Sequence, residues 1–465
     1  MKRREALKAI VLVALSSGGV TAALPTRKKV IVAGAGMAGL CCAYELVKKG
    51  FEVLVLEAAG RSGGHILTVR DGIDDGLYAD AGAEHFYRPG YDQLWTYIDE
   101  LQLPVIAYPR RRNQWRLFRD RLYTPEELST PSMLREQGYN QREIDYIGKN
   151  SIANLPGLYF TEYIEQFADE YKPFETKLGD LDSMTVQEFL LKKGASSTAA
   201  VSLGGAQSAL QGVWHAAIRR KRHMPWLELN LFRIRGGNQR LTDALAARLG
   251  ERLRLRCPVT SIEHSPNGVR VHYNNGERVV VEEADHLVTC MPLAKLREIP
   301  VTPQWPERKR YVIENMPHDS HCRVIFQSRT RFWQKDGVSP NMDLDDPSLG
   351  LVWPMADEVP TARGILIGKA VDADSEKALR VYRHRYPGKS EDIEKSFAVN
   401  WTTDPWSMTC LPGPFPPGVL SEFWPAVIEP HGRIHFAGVY ADNFPFGMES
   451  AVRSAQRAVR EIENI

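Results

Sequence analysis

A short apolar strand at residues 28–33 runs directly into Gly34-Ala35-Gly36-Met37-Ala38-Gly39, and a helical pattern then continues to Lys49 before Gly50 ends it. Few local sequences restrict a fold as tightly. Gly34 permits the tight turn out of the strand, Gly36 lets a pyrophosphate approach the backbone, and Gly39 lets helix and strand pack closely. The free N–H groups and the dipole of the helix start favour the anion. A second strand at residues 51–56 ends on Glu57, at roughly the 20-residue spacing where a carboxylate meets ribose hydroxyls. Strand, turn, helix and parallel strand in that order begin a doubly wound α/β unit.

With 465 residues the chain exceeds one ordinary core, so a second domain is expected. Residues 91–225 have a helical pattern and carry two basic runs, Arg110-Arg111-Arg112 and Arg219 to Arg222, which read as solvated faces. A net charge of +2 gives no reason to expect nucleic acid as a partner. A helix at 241–249 precedes strands near 253–256, 269–273, 279–282 and 285–290; a last strand at 434–439 and a helix at 449–462 close the chain. The six cysteines form no Cys-x-x-Cys pair, so neither a metal site nor a disulfide framework is expected. At the N-terminus, Arg3-Arg4 precede a short apolar run and the small residues Val20-Thr21-Ala22-Ala23. The run is too short for a transmembrane span and reads as a twin-arginine export signal over residues 1–23.

The residues after Glu57 narrow the reading. Glu57-Ala58-Ala59-Gly60-Arg61-Ser62-Gly63-Gly64 resembles the extended fingerprint of the flavin amine oxidase superfamily, the monoamine, polyamine and L-amino acid oxidases with carotenoid desaturases as relatives. The resemblance continues through Asp80-Ala81-Gly82-Ala83, Arg235-Gly236-Gly237-Asn238, Cys257-Pro258-Val259, Phe332-Trp333, the segment from Trp401 to Gly418, and the two C-terminal pieces His435-Phe436-Ala437-Gly438 and Met448-Glu449-Ser450-Ala451. It implies FAD as cofactor. Gly34, Gly36, Gly39, Glu57, Arg61, Gly63 and Gly64 would surround its diphosphate and ribose, and the Val259 backbone its adenine. Trp401, Gly438 and Met448 would lie at the flavin, where a helix N-terminus stabilises the charge of the reduced ring.

Departures from the family bear on the chemistry. His65 stands where a second arginine usually lies. Arg323 aligns with a lysine that holds a water at the flavin, and keeps the charge without the ability to deprotonate. Leu411 and Gly447 replace the two tyrosines that frame the substrate of monoamine oxidases, with Phe444 and Phe446 close by. His85, beside Glu84, takes the place of the arginine that holds the substrate carboxylate in L-amino acid oxidases. Cys410 falls on the cysteine bonded to the flavin in monoamine oxidases, but Met408-Thr409 replace two glycines there, which favours a noncovalent flavin.

The expectation is therefore an α/β protein. A Rossmann-type FAD-binding domain would be assembled from residues 26–88, 226–300 and 416–465, with an α+β substrate-binding domain from 89–225 and 301–415. The resemblance implies hydride transfer from the carbon next to an amine nitrogen, with Arg323 and His85 as catalytic residues and oxygen or another acceptor taking the electrons. The alternatives are an L-amino acid oxidase, a desaturase-like enzyme on an apolar substrate, and a non-catalytic FAD-binding protein. A periplasmic location follows from the export signal.

Overall fold

The computed structural model describes residues 27–227, 229–408, 411–444 and 446–465. Its central element is a five-stranded parallel sheet in the spatial order Leu253–Arg254, Glu52–Leu56, Lys29–Ala33, His286–Thr289 and Ile434–Phe436. The strands come from three separate stretches of chain. Lys29–Ala33 sits in the middle with four of its five residues buried, the near-continuous apolar pattern of a strand covered on both faces. Two helices pack together beside it. Met37–Lys48 buries nine of its twelve residues, and Gly447–Glu463 turns a stripe of Met448, Ala451, Val452, Ala455, Val459 and Ile462 inward.

Gly39 fixes how closely the first helix approaches its strand. A Cβ at this position would run into the carbonyl oxygen of Gly34. No rotamer relieves a clash with backbone, so only glycine keeps the helix start over the strand end.

An antiparallel sheet of Val259–Ser265, Gly268–Asn274 and Val279–Ala284 branches from this unit. A separate seven-stranded sheet has the order Ile393–Asn400, Cys322–Ser328, Gly364–Ala370, Leu351–Met355, Met342–Asp343, Trp115–Phe118 and Arg121–Tyr123. All seven residues of Cys322–Ser328 are buried. Between residues 125 and 221 the chain is largely helical, as its pattern predicts, but Val105–Ala107, Trp115–Phe118 and Arg121–Tyr123, within the stretch read as helical, are strands. Thr124, Asn140 and Thr185 each close a capping box with a glutamate three residues on.

Several boundaries differ from the sequence reading by two or three residues. The last strand stops at Phe436 instead of 439, because Gly438 has φ of 152° and donates its N–H to the Ser454 hydroxyl, turning the chain out of the sheet. The closing helix begins at Gly447, earlier than 449. Phe332–Gln334 is a 3-10 turn that follows the end of the Cys322–Ser328 strand. Among the described residues no helix is long and apolar enough to cross a membrane. Residues 1–26, with the expected export signal, lie outside the described residues, as do Thr409 and Cys410.

Candidate active site

A cavity of about 700 Å³ runs from the glycine turn after the first strand to the seven-stranded sheet. At its first end two turns meet. Gly63 donates its N–H to the Ala35 carbonyl at 2.8 Å, and a Cβ on Gly64 would stand 3.1 Å from the Gly36 Cα. The result is a trough without side chains. The Met37–Lys48 helix opens onto it with Gly36 as its N-cap, no side-chain cap and no acidic residue in the first turn. Its first N–H groups are left for a ligand anion.

Glu57 is 7% exposed and lines the same end. Its carboxylate accepts N–H groups from Ala35 at 2.6 Å and Ala59 at 2.7 Å, which fixes its orientation. Burial pushes its pKa up, and the two N–H groups and Arg61 pull it back. Arg61 also lines the cavity, but its guanidinium donates to the carbonyls of Ser62, Ile66 and Gly64. It clamps the second glycine turn. Gly34, Val259, Gly438 and Met448 lie in the cavity wall; Gly39 lies behind it, as its packing role requires.

Trp401 is also one layer back. It is 1% exposed, donates its indole N–H to the Ala81 carbonyl at 2.7 Å, and lies 4.1 Å from the His65 ring. His65, not Trp401, reaches the cavity. Of the segment's other residues, Asp404, Trp406 and Leu411 line it.

The far end is buried and charged. Arg110 and Glu84 form an ion pair at 2.6 Å with side chains 13% and 2% exposed. The Arg110 guanidinium lies 3.7 Å from the Trp353 ring centre, and Arg323 approaches the same ring at 5.4 Å. Burial would raise the Glu84 pKa, but Arg110 and Arg323 outweigh it and hold the group at about 2. His85 places Nδ1 3.3 Å from the same carboxylate. Desolvation lowers His85 to about 4 and, with the Arg323 charge, lowers His65 and His321 to about 3. All three imidazoles are neutral at physiological pH.

Two sequence readings are corrected here. Arg110 and Arg111 are not a solvated face; both line the cavity, and only Arg112 of that run is exposed. Arg219 and Arg222 are structural as well. Arg219 donates to the carbonyls of Pro225 and Trp226, and Arg222 pairs with Glu170 at 3.3 Å. Tyr91 and His321 are wall residues that sequence reasoning missed. Tyr91 explains Gly447. That glycine has φ of 53°, and a Cβ there would stand 2.9 Å from the Tyr91 hydroxyl. The volume where a tyrosine at position 447 would start is filled by a tyrosine from another element. Phe446 lines the cavity and stacks on Phe444 at 4.7 Å, which stays behind it.

The buried histidines give the fold an acid limit. His65, His85, His215, His286 and His321 are all lowered, chiefly by desolvation, to about 4 or below. The unfolded chain takes up these protons near pH 6.5 and the native chain does not, so stability falls as pH drops below 6.5. Asp80 and Glu449, raised by burial to about 6 and about 7, act in the opposite sense, as do Glu57, Asp343, Asp357 and Asp442, but only Asp80 and Glu449 are raised far enough to offset the five histidines between pH 7 and pH 5. Each unopposed histidine accounts for about 1.4 kcal/mol per pH unit. The urea midpoint is expected to fall clearly between pH 7 and pH 5; an equal or higher midpoint at pH 5 would contradict the buried neutral histidines.

A profile of the flavin containing amine oxidoreductases matches residues 37–463, and the chain belongs to that family. It is an FAD-dependent oxidoreductase of the amine oxidase type. An L-amino-acid oxidase of Bothrops moojeni is 25% identical over 463 residues, covering 94% of this chain and 89% of its own length, and one of Daboia russelii is 25% identical over 462 residues with the same coverage. Among solved structures, putrescine oxidase bound to putrescine aligns with a TM-score of 0.78 at 22% identity, over 94% of this chain and 99% of its own. Cyclohexylamine oxidase from Brevibacterium oxydans aligns with a TM-score of 0.72 at 22% identity and the same coverage. These two establish the shared fold.

The cavity fits FAD by its own geometry. The trough is closed to a Cβ at Gly34, Gly63 and Gly64, the helix start above it has no side-chain cap, and Glu57 is fixed beside it.

Proposed function

We propose that this protein oxidises an amine at the carbon next to nitrogen, releasing an imine that hydrolyses to a carbonyl compound and ammonia, while oxygen takes up the electrons as hydrogen peroxide. The observation that supports this most is one continuous cavity, which joins the diphosphate trough to a buried chamber walled by Tyr91, Phe446, His85 and Arg323. FAD, when bound, supplies the hydride acceptor; the protein supplies position, dryness and charge.

In this reading Gly34, Gly36, Gly63, Gly64 and Glu57 hold the diphosphate and ribose, Gly39 and Arg61 keep the two turns in place, and Val259 meets the adenine. Gly438 and Met448 lie along the ring, and Trp401 acts through His65. Cys410 is proposed as a neighbour of a noncovalently held flavin. Segments 26–88, 226–300 and 416–465 form the cofactor unit, and 89–225 with 301–415 the substrate unit. At the chamber, Tyr91 and Phe446 pack on the substrate. A proton on His85 Nδ1 faces Glu84, so Nε2 is left as an acceptor towards the substrate.

An apolar polyene is a poorer fit. It would press hydrocarbon against Arg323 and Glu84, and burying ionised groups that way is costly. The test is product analysis in air with simple amines, polyamines and L-amino acids. Peroxide and ammonia are expected in equal amounts from at least one class; neither product from any class would sink the proposal. We also propose export through the twin-arginine segment. Mature protein starting after residue 23 in the periplasm is expected, and protein found solely in the cytoplasm with Met1 or Lys2 at its start would overturn it.

A further inference from the structure

Arg323 is 7% exposed and lines the cavity, yet its Nε and Nη1 are buried without a hydrogen-bond partner. It sits on the fully buried Cys322–Ser328 strand, which is paired on both sides, so it cannot swing to solvent. The acid that faces it, Glu84, is already bonded to Arg110 at 2.6 Å. The other polar groups around it, His65 and His321, are neutral and unpartnered at His65 Nε2 and at both His321 ring nitrogens. The chamber therefore sets Arg110 and Arg323 against one deeply buried carboxylate, Glu84, with Arg111 near His85 and Asp404 on the His65 side, and two donors of Arg323 remain open. A buried guanidinium is ordinarily paired, because an unpaired one forfeits its solvation. The diphosphate is served elsewhere, at the glycine trough of the parallel sheet.

We infer that Arg323 anchors a carboxylate carried by the substrate itself, so that the amines this enzyme takes are amino acids and not simple monoamines or diamines. This deepens the amine-oxidation reading and rests on it. The planar fork of arginine matches a carboxylate with two parallel N–H donors, which a lysine at the same place could not offer. The anchor stands on a different element from His85, whose position in the sequence first suggested a carboxylate contact. A diamine would bring a second positive charge towards Arg110 and Arg323, where the one deeply buried carboxylate, Glu84, is already paired with Arg110.

The test uses the flavin-loaded full chain. Benzoate is titrated against it and followed by the visible flavin spectrum, in the parent protein, Arg323→Met and Arg323→Lys. In parallel, kcat/KM is compared for substrate pairs that differ by the carboxylate alone: L-leucine with 3-methylbutylamine, and L-phenylalanine with 2-phenylethylamine. Saturable benzoate binding is expected in the parent, weakened about tenfold to a hundredfold in Arg323→Met and less in Arg323→Lys. The ratio of kcat/KM for amino acid over amine is expected to exceed one in the parent and to fall by a similar factor in Arg323→Met. Benzoate binding unchanged in a flavin-loaded Arg323→Met, no benzoate binding by the parent, or a parent that prefers the plain amines would overturn the inference. If no member of either pair reduces the flavin, the amine-oxidation reading fails, and the benzoate titration still decides whether Arg323 takes a carboxylate.

Discussion

Alanine at position 39 is expected to leave the chain unable to retain flavin. The added methyl group would fall onto the Gly34 carbonyl oxygen, with the Cys290 Cβ at 3.4 Å closing the other side. Overpacking in a core with side chains that can move costs about 1–3 kcal/mol; here the obstacle is backbone, so the upper end or beyond is expected. To escape, the Met37–Lys48 helix must lift from the strand, and its first N–H groups then leave the trough where the diphosphate would sit. Gly39→Ala should therefore lower the thermal midpoint by several degrees and purify with little or no flavin. Gly205→Ala, at a glycine with no atom within 4 Å of the added carbon, should leave both unchanged. A yellow Gly39→Ala protein with the parent's flavin content would contradict the packing argument.

The second large effect is expected at Glu84. It is 2% exposed, it pairs with Arg110, and it is the carboxylate facing Arg323. Removing one partner of a buried pair costs about 3–5 kcal/mol, because the remaining charge has no counterion. Glu84→Ala would leave two buried guanidinium groups beside each other on the Trp353 ring. The expected result is an unfolding free energy in urea lowered by that amount, together with loss of amine-dependent flavin reduction in whatever protein still folds. Glu84→Gln, which keeps the volume and one acceptor, should lie between. A loss below about 1 kcal/mol in Glu84→Ala would show that Arg110 finds another partner and that Glu84 is not the counterion these guanidinium groups depend on.

The cofactor end of this protein is legible in its sequence because its constraints are local. Gly34, Gly36 and Gly39 act on backbone within six residues, and Glu57 stands at the end of the very next strand, so order and spacing carry the information. The substrate end is assembled from distant elements, and there the sequence is ambiguous. Arg110 lies in a run of three arginines that reads as solvated; only the approach of Glu84 and Trp353 from other parts of the chain makes it a buried wall residue. Gly447 reads as a lost aromatic, whereas the aromatic is Tyr91, supplied by a segment more than three hundred residues away. Trp401 is legible as important and not as indirect, since its ring contact with His65 depends on where residue 65 is placed. The early end of the last strand follows from one backbone angle at Gly438, which periodicity does not register.

The most direct test of the central claim is made without oxygen. The purified flavin-loaded protein is mixed with a panel of L-amino acids, polyamines and monoamines, and the flavin absorbance is followed. Bleaching by a carboxylate-bearing amine is expected within the mixing and observation time, with the colour returning and one equivalent of peroxide formed when air is admitted. A flavin that stays oxidised with every nitrogen compound, but bleaches with a chemical reductant, would contradict it.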